Sequence, residues 1–232
     1  MNYNPLLVFT TYNQLDMTRK CMEYAQDLGY DILMIDDCST DGTQEYISQI
    51  RVEALLKNKR RGLTDSWNRA YAYFKASSYS HIVICNKDVL IPKGAIEGML
   101  SDYPLVVPMC NESGAGYACK EQSIERHDAW LMNPEDEFNI PHIQQLLKLP
   151  MDKGFKPVEC WTGFCMCMSR RIIEDERDDG NLFYPGNINV GNDDDLARRV
   201  EAYIALGSFV YHHKGVSFNG QIADRDNLNK DY

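Results

Sequence analysis

Four short stretches set acidic, amide or histidine residues beside apolar runs. They are Asp36-Asp37 after ILMI, Asn86-Lys87-Asp88 after HIVIC, Gly191-Asn192-Asp193-Asp194-Asp195-Leu196, and His212-His213 after FVY. Oxygen ligands such as Asp88 suit Mg2+ or Mn2+, and these cations commonly bridge diphosphates. A neutral His nitrogen is compatible with Mn2+ as an added ligand. A carboxylate held apart from the metal could deprotonate an attacking hydroxyl, while the metal offsets charge building on a leaving diphosphate. That combination is the chemistry of group transfer from an activated diphosphate donor. Three of the stretches also have a plainer reading: a pair of helix-capping Asp, three Asp at the positive end of a helix dipole, a surface His pair. Their recurrence at strand ends favours a shared site, because ligands of open α/β sheets bind at the carboxyl ends of the strands.

The elements that must position these residues alternate. Leu6–Thr10 is a first strand, and Asn13–Leu28 carries Leu15, Met22, Ala25 and Leu28 on one helical face, with Gly29 suited to its end. Asp31–Ile35 is a second strand running into Asp36-Asp37, and the following Ser, Thr, Asp and Gly give a turn and a helix start. Thr43–Ile50 reads as helix and Val52–Leu56 as a short strand. Thr64 opens a helix whose Trp67, Ala70, Tyr71 and Phe74 keep i, i+3, i+4, i+7 spacing. Ile82–Cys85 is a buried strand, Pro92–Leu100 a short helix and Leu105–Met109 another strand. Cys110–Pro157 breaks the pattern, with only Ile143–Leu149 reading as helix. Strand character resumes over Glu159–Met168, a helix is expected over Asp193–Leu206, and Ser208–His212 closes as a strand. The alternation predicts an α/β fold with an open, mixed but mostly parallel sheet flanked by helices.

The chain has 232 residues, ordinary for one α/β domain. Residues 1–109 are expected to form one half, 110–157 a variable segment, and 158–232 the second half. Its net charge of −10 lacks the basic footprint of nucleic-acid binding, so a duplex partner is disfavoured. Lys57-Asn58-Lys59-Arg60-Arg61 reads as a solvated turn. No apolar run approaches a membrane span, and the start MNYNPLLVFTTYN is not that of a signal peptide. A cytoplasmic location follows as the expectation, and the eight cysteines then read as free thiols, several of them buried. GxxxxGK[ST], GxGxxG, HExxH and GxSxG are all absent.

The chain resembles the glycosyltransferases of the GT-A fold, and is similar to the large inverting family 2. VFTTYN resembles that family's opening strand and turn, MIDDCSTDGT its nucleotide-binding strand end, and GLTDSWNRA the helix that follows. CNKDV is similar to the metal-binding DxD station, in a form beginning with Asn. WTGFCMCMSRRII resembles the acceptor-side strand, GNDDDLARRV the acidic helix start that carries the base, and VYHHKGVSF the late His-to-Ser stretch. The likeness runs from about Leu6 to Phe218, with Cys110–Pro157 matching poorly.

The resemblance implies a role for each residue. Thr10 and Tyr12 would line the base pocket, with Tyr12 able to stack on a pyrimidine, and Asp37 would hydrogen-bond the base; Asp36 is assigned with them or as a structural residue. Asn68 would lie near the ribose or sugar, Gly163 would let the donor sugar approach closely, and Trp161 would form an acceptor platform. Asn86 and Asp88 form the metal station, with Asp88 as ligand and His212, or His213, as its distant partner. Asp193 is the expected catalytic base, with Asn192 where the family usually has Glu. Asp195 would orient the site or cap the helix. The implied cofactor is Mn2+ or Mg2+. The implied donor is a nucleotide sugar, UDP-linked in preference to dTDP or GDP, and the acceptor a glycan, lipid-linked or other hydroxyl. Two other readings stay open: a degenerate GT-A protein that binds a nucleotide without turnover, and a sugar nucleotidyltransferase.

Overall fold

The computed structural model describes residues 3–110, 154–189 and 191–213. The first half builds as the alternation predicts: β1 (Pro5–Thr11), α1 (Leu15–Gln26), β2 (Asp31–Asp36), α2 (Thr43–Ile47), β3 (Glu53–Leu56), α3 (Leu63–Ala76) and β4 (His81–Asn86). β5 (Val89–Leu90), α4 (Ala95–Met99), β6 (Leu105–Cys110), β7 (Phe155–Val158) and β8 (Cys165–Ser169) follow. A 3-10 helix (Arg170–Asp175), α5 (Asn192–Ala197) and β9 (Ala202–His212) complete the described elements. Neighbouring strands run in the order β3-β2-β1-β4-β8-β6-β9-β5, with β7 also on β9. β3, β2, β1 and β4 are mutually parallel, whereas β8 enters antiparallel between β4 and β6. The sheet is therefore mixed and mostly parallel in its first half.

Period-two alternation sorts the strand residues between two cores. Leu6, Val8, Leu33, Ile35, Ile82, Ile84, Met166 and Met168 pack against Trp67, Ala70, Tyr71 and Phe74 of α3. Leu7, Phe9, Ile32, Met34, Val83, Cys85, Cys165 and Cys167 pack on the other face against Met22 and Ala25 of α1 and Ile47 of α2. Strands buried on both faces are near-continuous apolar runs, as their sequences are. Where each run ends, polar residues inherit the same alternation. Thr10 and Asn86 continue the α3 face, and they are register partners in β1 and β4. Thr11 and Asp36 continue the α1 face.

The second half differs from the expectation. The helix foreseen over Asp193–Leu206 is only the six-residue α5, and Ala202–Leu206 instead opens the eleven-residue β9. Ala202 and Ile204 are apolar at period two, and pairing with β6 on one side and β7 on the other overrides their fit to a helix. The strand foreseen over Glu159–Met168 begins at Cys165, with β7 set apart as Phe155–Val158. The helix expected at Ile143–Leu149 lies outside the described residues, as do most of the 110–157 segment, Cys119 and the residues after His213.

Candidate active site

Asp36 and Asp37 are adjacent in sequence but face opposite sides of the sheet. Asp36 is buried towards α2 and accepts four bonds: from Thr11 Oγ1 at 2.9 Å, Ser39 N at 2.8 Å, Ser39 Oγ at 2.5 Å and Gln44 Nε2 at 2.6 Å. Those fill a carboxylate's acceptor sites, so Asp36 is structural. It welds the β2 end to β1 and α2, and the base-pocket alternative for it is not supported by its position. Asp37 faces α3. Its Oδ1 accepts from Lys57 Nζ at 3.0 Å and Arg61 N at 2.8 Å, and its Oδ2 from Gly62 N at 2.7 Å. One acceptor position on Oδ2 is left for a ligand donor. Lys57 is correspondingly no part of a solvated turn. Its ammonium is buried and also pairs with Asp65 at 2.8 Å, which corrects the reading of the Lys57–Arg61 stretch.

The turn after β1 is held in place by these elements. Asn13 and Gln14 both adopt left-handed backbone (φ 53° and 63°), which is uncommon outside glycine. Asn13 N donates to Ser39 Oγ at 2.7 Å, and Thr40 N donates to Asn13 Oδ1 at 2.8 Å. Lys87, buried between Asn86 and Asp88, donates to the carbonyls of Tyr12 and Asn13. Burial lowers its ammonium to about 8, with Asp88, Asp41 and Asp36 acting against the shift. Sequence reasoning passed over Lys87; the signal available was a lysine inside a run otherwise bound for the interior. The ring of Tyr12 carries the Arg60 guanidinium 4.1 Å from its centroid.

Asp88 is 2% exposed at the end of β4. The antiparallel pairing of β5 with β9, Val89 opposite His212, returns the chain to this point. His212 Nε2 then lies 3.5 Å from Asp88 Oδ1, and its ring stacks on Phe164 with centroids 4.5 Å apart. His213 meets Asp88 differently, through a 2.8 Å bond from its backbone N to the Asp88 carbonyl. Of the two histidines, His212 is the one whose ring faces the carboxylate. Among the described residues no group of three or more His, Cys, Asp or Glu forms a metal cage. An oxygen and an imidazole nitrogen nevertheless fit Mn2+ as a partial ligand set, with remaining positions suited to phosphate oxygens and water.

Asp193 follows Asn192 in α5, after a left-handed Gly191 (φ 82°). Its Oδ2 accepts from Gly163 N at 3.0 Å and its Oδ1 from Asp194 N at 3.1 Å. Burial raises its carboxyl above the ordinary range, and the Gly163 N–H pulls the other way. Asn192 is buried, and its Oδ1 accepts from Thr64 Oγ1 at 2.7 Å. It anchors α5 to α3 and leaves Asp193 to face Gly163. Asp195 points elsewhere, paired with Arg177 at 3.4 Å and Arg199 at 3.2 Å.

Gly163 is tight for a reason the structure makes explicit. A Cβ there would lie 2.8 Å from the Trp67 ring and 3.4 Å from Asp193 Cβ. Gly163→Ala is expected to lower stability by about 1–3 kcal/mol, as overpacking does, and to displace Asp193. A melting curve with wild-type midpoint would show that the Trp67 ring yields without cost.

Two expected contacts are not made. Trp161 is 3% exposed and lies in the α3-side core, so it offers no open acceptor platform. Asn68 is committed to the backbone of Phe183, donating to its carbonyl and accepting from its N–H, both at 2.9 Å. It therefore holds the 181–188 loop to α3 rather than facing a sugar. Four buried polar atoms on the α3 side have no hydrogen-bond partner among the described residues: Thr10 Oγ1, Asn86 Oδ1, Trp67 Nε1 and Trp161 Nε1. Unpaired buried polar atoms are costly and rare in a folded chain. Thr10 and Asn86 place two of them at neighbouring strand ends.

Residues 7–103, from β1 to just past α4, match the family model described as glycosyl transferase family 2. That match covers less than half of the chain, and the fold in which it lies is the GT-A fold. Solved GT-A structures superpose well beyond that segment. GalNAc-T7 with UDP, GalNAc and Mn2+ shares 14% identity over 90% of this chain and 44% of its own, with a TM-score of 0.62. The mannosyltransferase PcManGT of Pyrobaculum calidifontis, in complex with GDP-Man and Mn2+, shares 15% over 92% of this chain and 58% of its own, with a TM-score of 0.56. S. aureus TarS 1-349 with UDP-GlcNAc shares 11% over 90% of this chain and 58% of its own, with a TM-score of 0.53. This GT-A chain thus spans about half the length of the structures it matches. No curated protein matches it. No helix among its described residues is long and apolar enough to cross a membrane.

Proposed function

We propose that the chain is an inverting glycosyltransferase that moves a sugar from a nucleoside-diphosphate sugar to an acceptor hydroxyl with help from a divalent metal. The observation that carries this reading is the pairing of β9 with β5, which sets His212 3.5 Å from Asp88 near the sheet edge where Thr10 and Asn86 end their strands. Asp37, fixed by Lys57 and two backbone N–H groups, accepts a further bond from the nucleotide base. Tyr12 lies against the base, with Arg60 on its other side. Thr10 Oγ1 and Asn86 Oδ1 turn to the bound donor for the partners they otherwise lack. Asp88 and His212 would hold Mn2+ or Mg2+, which when bound neutralises charge on the leaving diphosphate. Asp193 takes the acceptor proton at Oδ1 or Oδ2, its raised proton affinity suiting a general base. The hydroxyl oxygen then forms its bond to the anomeric carbon as the bond to the diphosphate oxygen breaks.

A UDP-sugar is the favoured donor, since UDP or UDP-GlcNAc is bound in two of the related structures and GDP-Man in the third. Residues 1–109 form the donor half and 158–232 the base-bearing half in this reading, with 110–157 on the acceptor side. A cytoplasmic location belongs to the proposal and is supported by the use of five thiols, Cys21, Cys85, Cys110, Cys165 and Cys167, as core side chains.

Calorimetric titration with UDP, dTDP, GDP and CMP, each with and without Mn2+, tests the donor site. One diphosphate is expected to bind, and to bind at least tenfold more weakly without metal or in Asp88→Ala. Binding with no turnover of any sugar would favour the degenerate reading to which Asn86 and Asn192 point. Absence of binding by all four would remove the proposal.

A further inference from the structure

A cleft of about 610 Å³ opens between the N-terminal half of α3 and the 181–188 loop, with Lys59, Arg60 and Arg61 on one wall and Asn181 and Pro185 among the residues opposite. We propose that this cleft is an anion subsite holding a phosphate or carboxylate carried by the acceptor. The inference rests on the transfer reading above and adds to it the chemical class of the acceptor.

The first ground is charge. The one carboxylate lining the cleft, Asp65, is already neutralised by Lys57 at 2.8 Å and Arg69 at 2.7 Å. The side chains of Lys59 and Arg61 have no ion-pair or hydrogen-bond partner among the described residues. A chain of net charge −10 thus keeps, among its described residues, two cations without a counter-charge at the rim of one concavity. Such a local positive field selects an anion against the repulsion of the whole surface. A guanidinium and an ammonium on one wall match the oxygens of a phosphate or carboxylate.

The second ground is topology. Lys59–Arg61 follow β3, whereas Asp88 follows β4, and β2 and β1 lie between them. Arg61 turns back to the β2 end, where its N–H meets Asp37, so about two strand spacings, roughly 10 Å, separate this wall from Asp88. A donor whose base meets Asp37 at the β2 end sends its diphosphate towards β4, away from the cleft. The donor's own phosphates therefore leave Lys59 and Arg61 without a counter-charge.

The third ground is continuity with the proposed base. Thr64, which lines the cleft, donates to Asn192 at 2.7 Å, and Asn192 immediately precedes Asp193. A ligand seated in the cleft lies against the same α3–α5 junction that holds the catalytic carboxylate. An extended acceptor reaches from one to the other.

The test titrates glycerol 3-phosphate, with glycerol as neutral control, into the full chain saturated with UDP and Mn2+. Wild type is expected to bind glycerol 3-phosphate and not glycerol. The double variant Lys59→Ala/Arg61→Ala, which leaves the Arg61 backbone N–H on Asp37, is expected to lose at least tenfold in that affinity and to keep its UDP affinity. An equal loss of UDP affinity would assign the cations to the donor and overturn the proposal. So would phosphate binding that the double variant leaves unchanged, or none at all. Should UDP itself fail to bind wild type, the donor reading fails separately. The same titration of the free protein then decides whether the cleft takes an anion.

Discussion

Asp193→Asn is expected to slow sugar transfer by about 10²–10⁴-fold, the range a positioned general base supplies, without loss of stability. The amide keeps the shape of the side chain, and its oxygen still accepts from the Gly163 N–H that Asp193 Oδ2 now holds at 3.0 Å. What disappears is the proton acceptor. Burial raises the Asp193 carboxyl, so the folded state binds this proton more tightly than the unfolded chain does. The stability that the group contributes is therefore present at low pH and lost as pH rises through its folded value. At neutral pH the ionised carboxylate is a cost that asparagine removes, and the melting temperature of Asp193→Asn should equal or exceed that of wild type. In the wild type, transfer should fall as pH drops through a value above that of an ordinary aspartate. Turnover, a pH–rate profile and a melting curve check the three statements. An Asp193→Asn protein with unchanged turnover would end the assignment of the base.

Asp37→Ala should be the most destabilising of the site substitutions. It removes an acceptor from two backbone N–H groups and one carboxylate from the buried Lys57 ammonium. Breaking a buried pair from one side costs about 3–5 kcal/mol. The low end of about 3 kcal/mol applies here, because Asp65 stays 2.8 Å from Lys57. For a chain of this size that lowers the melting temperature by about 6–12 °C. Nucleotide affinity, measured well below the transition, should fall as well. Asp37→Asn retains one acceptor oxygen and should lie between the two. An Asp37→Ala variant that unfolds within 1 kcal/mol of wild type would show that Asp65 alone satisfies the ammonium, and that Asp37 is held in place for its ligand only.

Much of the site's position is legible in the order of residues alone. An apolar run that ends in polar residues specifies a buried strand delivering them to the sheet edge, and Thr10, Asp37 and Asp88 stand where that rule puts them. Strand pairing and period two need only local pattern, so residues 5–86 read correctly as alternating β and α. The same local logic fails over Ala202–Leu206. A short run of mixed apolar residues fits helix and strand alike, and its state is decided by the open edges of β6 and β7.

What the tertiary structure alone decides is which polar residues are already satisfied. Types and spacing make Asp36, Asn68 and Trp161 plausible ligand contacts, yet four donors saturate Asp36, Phe183 occupies Asn68, and Trp161 is packed in the core. Lys57 reads as a surface cation and is an interior one. The choice of His212 over His213 likewise depends on the β5–β9 register, because neighbours on a strand face opposite ways and one residue of slip exchanges them. Sequence carries the chemistry a side chain can perform. Whether its hydrogen bonds are spent inside the fold or left for a ligand depends on partners tens of residues away, and only packing brings those together.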